Sequence, residues 1–108
     1  MKRGNLFDWS AAAVDGERFD ALLTRPGLRI ERILSTGQSS PEGFWYDQAE
    51  DEFVLLLAGA ARLCLEGSGE AVQLAPGDWM HLPAGCRHRV EWTSADPPAL
   101  WLAVHHVT

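Results

Sequence analysis

Gly77–His88, GDWMHLPAGCRH, is the stretch whose reading decides the fold. Gly77 and Asp78 form a turn, and Pro83, which cannot donate to a β-ladder, ends the short apolar run from Trp79 to Leu82. Gly85 then permits the reversal that starts the next strand with His88 facing inward. A chain that spends two glycines and a proline on placing one imidazole is aiming it. The residues alone leave three targets open: a metal ion, a bound small molecule, or a carbonyl of the core.

Working outward, CRHRVEW alternates His88, Val90 and Trp92 with Arg87, Arg89 and Glu91, so one face is dry and the other wet. After the loop TSADPP, the final run ALWLAVHHV is too continuously apolar to be solvated on either side, which implies a second layer or a second subunit against it. Upstream, EAVQL reads as a short strand. DEFVLLLAGAARLCLEG reads as a hairpin at the centre of the sheet, turning at Ala58, Gly59 and Ala60, where glycine supplies positive φ. GLRIERILSTG is a strand with Leu28, Ile30, Arg32 and Leu34 on one face and a wetter face of Arg29, Glu31 and Ile33. The opening DWSAAAVDGERFDALL is expected to begin as a short helix and continue as an edge strand from Glu17 to Leu23. Short strands at about ten-residue spacing, separated by Gly, Pro, Ser and Asp clusters, indicate an all-β sandwich or barrel.

A chain of 108 residues, 46% apolar and 22% charged, suits one folded domain rather than a disordered or fibrous segment. Nine basic residues are scattered among fifteen acidic ones, for a formal charge of −6, so no stripe neutralises a phosphate backbone and nucleic acid is excluded as a partner. Cys64 and Cys86 form no CxxC pair, which points to a reduced, cytoplasmic setting. The basic start lacks the apolar run of an export signal, and no stretch is apolar for long enough to span a membrane as a helix. GxSxG elbows, P-loops, dinucleotide GxGxxG motifs and zinc-finger spacings are also missing.

The spacing of Gly77, Pro83, Gly85 and His88 resembles the second motif of the cupin superfamily, GxxxxxPxGxxHxxxN, with Trp92 in place of the final asparagine. The first motif of that superfamily, GxxxxxHxHxxxExxxxxxG, aligns through Glu52 and Gly59. Tyr46 and Gln48 occupy its two histidine positions, and Ser40 or Gly43 its opening glycine. The resemblance spans residues 43–106. It implies a small antiparallel β-barrel or jelly roll, with residues 1–108 as a single cupin-like domain: an N-terminal arm and edge strand over 1–27 and the barrel over 28–108. It further implies a divalent metal ion in the barrel interior, at the positions of Tyr46, Gln48, Glu52 and His88, and pairing into a homodimer.

Each position carries its own chemistry. Glu52 shares a strand face with Val54 and Leu56, where an unpaired carboxylate costs several kcal/mol, so it requires a cation or hydrogen bonds. An arginine such as Arg62 or Arg89 is the plainer partner for Glu52, as a backbone carbonyl is for His88. Gln48 offers a neutral amide oxygen, acceptable to harder ions such as manganese or calcium, or else a hydrogen bond to nearby backbone. Tyr46, ordinarily titrating near 10, ligates only if a metal drives off its proton and otherwise lines the pocket. Asp47 alternates to the opposite face and is a reserve ligand. His81, His105 and His106 are replacement nitrogens, and the adjacent pair at 105 and 106 must face opposite sides of its strand. Cys86 reads as a small buried hydrophobe or a thiol near the pocket mouth. Trp45, Trp79, Trp92 and Trp101 either fill the core or line a cavity, and an inward Trp92 narrows that cavity toward small ligands.

Two functions follow, beside a third, structural reading as a dimerising domain with a vestigial pocket. One is a metal-dependent protein, an enzyme resembling the small dioxygenases, isomerases or lyases of the family, acting on a small molecule. The other is a metal-free module that binds a small ligand in the same cavity through Tyr46, Gln48 and His88.

Overall fold

The structure is a computed structural model that describes residues 1–9 and 17–107, so the expected helix near the start lies largely outside the described residues. Among the described residues the regular structure is eight strands and no helix: β1 (Arg18–Arg25), β2 (Leu28–Ser35), β3 (Asp51–Ala58), β4 (Ala61–Leu65), β5 (Ala71–Leu74), β6 (Trp79–Leu82), β7 (His88–Thr93) and β8 (Ala99–His106). The all-β, antiparallel expectation holds. The strands form one sheet in the order β1-β2-β8-β3-β6 and a second in the order β5-β4-β7.

The sheets do not close into a barrel, and the expectation is corrected to an open jelly-roll sandwich. The reason is in the connections. Only the β1–β2 and β4–β5 turns join strands that pair with each other, whereas the chain changes sheet after β3, β5, β6 and β7. A chain that keeps crossing between layers builds two ladders facing each other, and a lone bridge between Tyr46 and His88 extends the smaller one at β7.

The hairpin read at Ala58–Ala60 is therefore one of these crossings: β3 pairs with β6 and β8, and β4 with β5 and β7. Gly59 turns this corner at a φ of 77°, and a Cβ there would strike the Pro98 carbonyl oxygen and lie 2.7 Å from Ser94 Oγ and 2.8 Å from Ala99 Cα. Ser94 stitches the corner shut. Its Oγ accepts from the Ala60 amide at 2.9 Å, and its own amide donates to the Ala60 carbonyl.

The centre of the large sheet is β8, between β2 and β3. Its apolarity on both faces follows from that place. Trp101 and Ala103 look inward to a core shared with Val54, Leu56, Leu63 and Leu74, while Leu102 and Val104 lie half-buried on the outer face. The polarity of β2 is the reverse of the simple reading. Arg29, Glu31 and Ile33 pair with the inward residues His105, Ala103 and Trp101, so the wetter face points into the sandwich. The N-terminal residues are tied down outside, where the Arg32 guanidinium donates to the carbonyls of Asn5, Leu6 and Asp8 and pairs with Asp20 at 3.0 Å. No helix among the described residues is long and apolar enough to cross a membrane.

Because a Cβ at the Gly59 corner meets backbone at Pro98 and Ala99 and the Ser94 hydroxyl besides, Gly59→Ala is expected to cost at least about 2 kcal/mol in urea unfolding. Gly69→Ala, at a φ of 71° with nothing within 4 Å, should lose about 1 kcal/mol through the backbone conformation alone. Equal losses would show that the close approach at Gly59 carries no weight.

Candidate metal centre

Alternation along three adjacent strands carries polar side chains into the end of the sandwich that the apolar core leaves unfilled. On β3 the inward series is Glu52, Val54 and Leu56; on β8 it is His105, Ala103 and Trp101; on β2 it is Arg29, Glu31 and Ile33. Glu52 faces His105 directly across the ladder, and His105 faces Arg29, so the three form a row. Glu31 stands opposite Ala103, whose small side chain leaves room for the carboxylate to lean toward His105. These groups line a cavity of about 240 Å³ that opens to solvent and is walled by apolar side chains including Ile33, Leu63, Val90 and Trp101.

His88 enters from the opposite sheet. Its Nε2 lies 3.5 Å from Glu52 Oε1, while His105 Nε2 lies 3.2 Å from Glu52 Oε2 and 3.0 Å from Glu31 Oε1. One carboxylate thus joins imidazoles from both sheets, and all three side chains are at least nine-tenths buried. Glu52 takes neither arginine suggested by its sequence. His88 Nδ1 is 3.0 Å from the Cys86 carbonyl and donates to it, which fixes the ring and turns Nε2 toward the cavity. Burial alone would lower the His88 pKa, but the Glu52 hydrogen bond, the Cys86 carbonyl and the Glu52 charge together raise it above 6.5.

Tyr46 lines the cavity and stacks on His88, with ring centroids 5.3 Å apart and planes 22° from parallel. Burial, then the charges of Glu17, Glu52 and Glu31, push its phenol above 10, so the hydroxyl keeps its proton. Gln48 also lines the cavity. Gly85 donates to its backbone carbonyl at 2.9 Å, while its side-chain Oε1 is buried with no hydrogen-bond partner. His105 Nδ1 is likewise unpartnered. The interior therefore assembles two imidazoles, a shared carboxylate and an orphaned amide oxygen, a donor set that fits a divalent ion.

Other sequence candidates lie elsewhere. Asp47 is exposed and does not line the cavity, as alternation expects. Trp92, expected inward, is 40% exposed. A β-bulge explains it: Leu63 pairs with Val90 and Arg62 with Trp92, so Glu91 is an extra residue that swings Trp92 outward, under the Arg62 guanidinium at 5.6 Å. Cys86 acts through its carbonyl, with its thiol outside the cavity lining. Glu31 and Glu17 enter the cavity unforeseen, and the charged face of β2 was the signal for Glu31. His81 and His106 leave the interior altogether. With Asp51 they form a group that could hold a metal ion, each offering one ligand atom within 4.8 Å of the others, on the outer face of the five-stranded sheet.

A family model described as "Cupin domain" matches residues 31–105. A crystal structure from Ralstonia eutropha JMP134, of a protein provisionally named a mannose-6-phosphate isomerase, is 49% identical, with a TM-score of 0.95 over 100% of both chains. The protein TT1209 from Thermus thermophilus is 22% identical, with a TM-score of 0.78 over 98% of this chain and 97% of its own. A cupin superfamily protein from Desulfitobacterium hafniense DCB-2 is 18% identical, with a TM-score of 0.75 over 90% of this chain and 83% of its own. No curated protein matches the chain.

In chelator-treated protein the His88 ring should titrate above 6.5, and Glu52→Gln should bring that midpoint down, since burial then acts with less opposition. A raised folded pKa stabilises the fold fully below 6.5 and fades as pH rises through the folded value. The His88-dependent part of the stability difference between wild type and Glu52→Gln should therefore shrink with rising pH. Ring resonances followed by NMR, with urea unfolding at matched pH, check both; a midpoint unmoved by Glu52→Gln would contradict the pairing.

Proposed function

This chain belongs to the cupin family, and we propose that the polar end of its cavity holds a divalent metal ion on Glu52, His88 and His105, with Gln48 Oε1 as a further donor, beside a small-molecule site. The observation that carries this reading is the buried side-chain Oε1 of Gln48, which has no partner, on a residue that lines the same cavity as the shared carboxylate. Leaving such an oxygen unpaired costs about 1–3 kcal/mol, which a cation would offset. His105, from β8, supplies a nitrogen where Tyr46 and Gln48 supply none. Two imidazoles and a carboxylate, joined by an amide oxygen, suit a mid-series ion such as iron(II) or manganese(II).

When bound, such an ion supplies Lewis-acid chemistry to a ligand oxygen. The chain's own residues do the rest. Tyr46, held protonated, donates a hydrogen bond from its hydroxyl; Glu31 and Glu17 accept from hydroxyl or amino groups; Trp101, Ile33 and Val90 exclude water from one side. With Trp92 turned out, the cavity admits a wider ligand than an inward ring would allow.

A sugar phosphate, the class named for the Ralstonia protein, suits this lining poorly. Glu17, Glu31 and Glu52 face the cavity, and among its described residues Arg29 is the only cation apart from histidine. Arg29 is already engaged by Glu31 at 3.8 Å and Glu50 at 3.5 Å. A metal-free binding module remains the second reading, favoured by the way the Nε2 atoms of His88 and His105 already pair with the carboxylates of Glu31 and Glu52.

Elemental analysis of untagged protein separates the two, carried out in a His81→Ala background that disables the outer group. The expected outcome is about one divalent ion per chain, lost on Glu52→Ala, with chelator lowering the melting temperature of the first protein only. Background metal in both proteins and no response to chelator would leave the metal-free module. Mannose 6-phosphate is expected to leave the melting temperature unchanged at concentrations where neutral or amino sugars are screened.

A further inference from the structure

The outer face of the five-stranded sheet carries a second constellation that the cavity does not use. We propose that Asp51, His81 and His106 form an independent surface site for a late first-row divalent metal such as zinc, nickel or copper, with a coordination position open to solvent.

The register builds it. β6 and β8 flank β3, so the backbones that carry His81 and His106 are two strand spacings apart, roughly 10 Å. Their side chains nonetheless meet above β3: the two Nε2 atoms are 3.2 Å apart, and the rings stack with centroids 5.4 Å apart and planes 27° from parallel. Asp51, directly opposite His106 on β3, lies beneath them. Its carboxylate is pre-placed, because the Ala84 amide donates to Oδ1 at 2.7 Å while Oδ2 stands 3.9 Å from His106 Nδ1.

Two imidazole nitrogens at 3.2 Å share either one proton or one cation. An ion about 2.1 Å from both would subtend an angle of roughly 100° at the metal, close to tetrahedral or octahedral values. Asp51 neutralises half of the charge, and two nitrogens with one carboxylate favour the late end of the series. Three protein donors leave at least one position for water or an incoming ligand. His81 is exposed, so that position faces solvent. The site is separate from the cavity, since His105, next to His106 in the chain, projects through the opposite face of β8.

The test is a zinc titration of chelator-stripped full-length protein by calorimetry, with the histidine ring resonances followed by NMR. Wild type is expected to bind about one zinc more per chain than His81→Ala, whose exposed position leaves the fold intact, and Asp51→Asn should weaken that ion by more than about tenfold. Zinc should shift the rings of His81 and His106 in Glu52→Ala as it does in wild type, so failure of the interior reading leaves this site standing. Equal zinc stoichiometry and affinity in wild type and His81→Ala, or no zinc-dependent change at either ring, overturns the proposal.

Discussion

The Glu52 carboxylate is the constraint on which the rest of the structure depends. It is buried, it meets His88 from one sheet and His105 from the other, and a charge in that position is tolerable only while both contacts persist. Several local features serve this junction. Pro83 and Gly85 deliver His88 at the start of β7, the Cys86 carbonyl fixes its ring, and Ala103 leaves space for Glu31 to join the cluster. Apolar packing by Val54, Leu56, Leu63 and Trp101 begins one step further along the same strands, so core and cavity are successive stretches of one pattern.

The parts legible in the sequence were those set by turn chemistry and by period-two alternation. The glycines and proline of Gly77–His88 announced both the strand break and the inward imidazole, and Glu52 stood out as a charge on an apolar face. Alternation also required His105 and His106 to part company, as they do. What escaped was whatever depends on which strand pairs with which. Two apolar runs around a glycine look like a hairpin whether they pair with each other or turn a corner between sheets, and only the contact of Gly59 with the Pro98–Ala99 backbone tells the cases apart. A strand with one charged face looks solvated, yet the charged face of β2 points inward because a polar cavity waits there.

His105 and His106 show how one dipeptide can serve two environments. The first imidazole is sequestered among carboxylates inside the sandwich; the second is partly exposed beside another imidazole and a carboxylate outside it. The central place of β8 makes this arrangement available, since both of its faces have neighbouring strands on either side to contribute partners.

The bulge at Glu91 also acts as a control on cavity size. Upstream of it, His88 and Val90 face the interior; downstream, Trp92 faces out and Thr93 in. If Glu91 instead took the place opposite Arg62 and the bulge were flattened, unbroken alternation over the same residues would turn the Trp92 indole inward. The capacity of the cavity is thus encoded in the pairing register of this strand as much as in side-chain identity, and gain or loss of a bulge is a route by which a lineage of such domains could exchange large ligands for small ones.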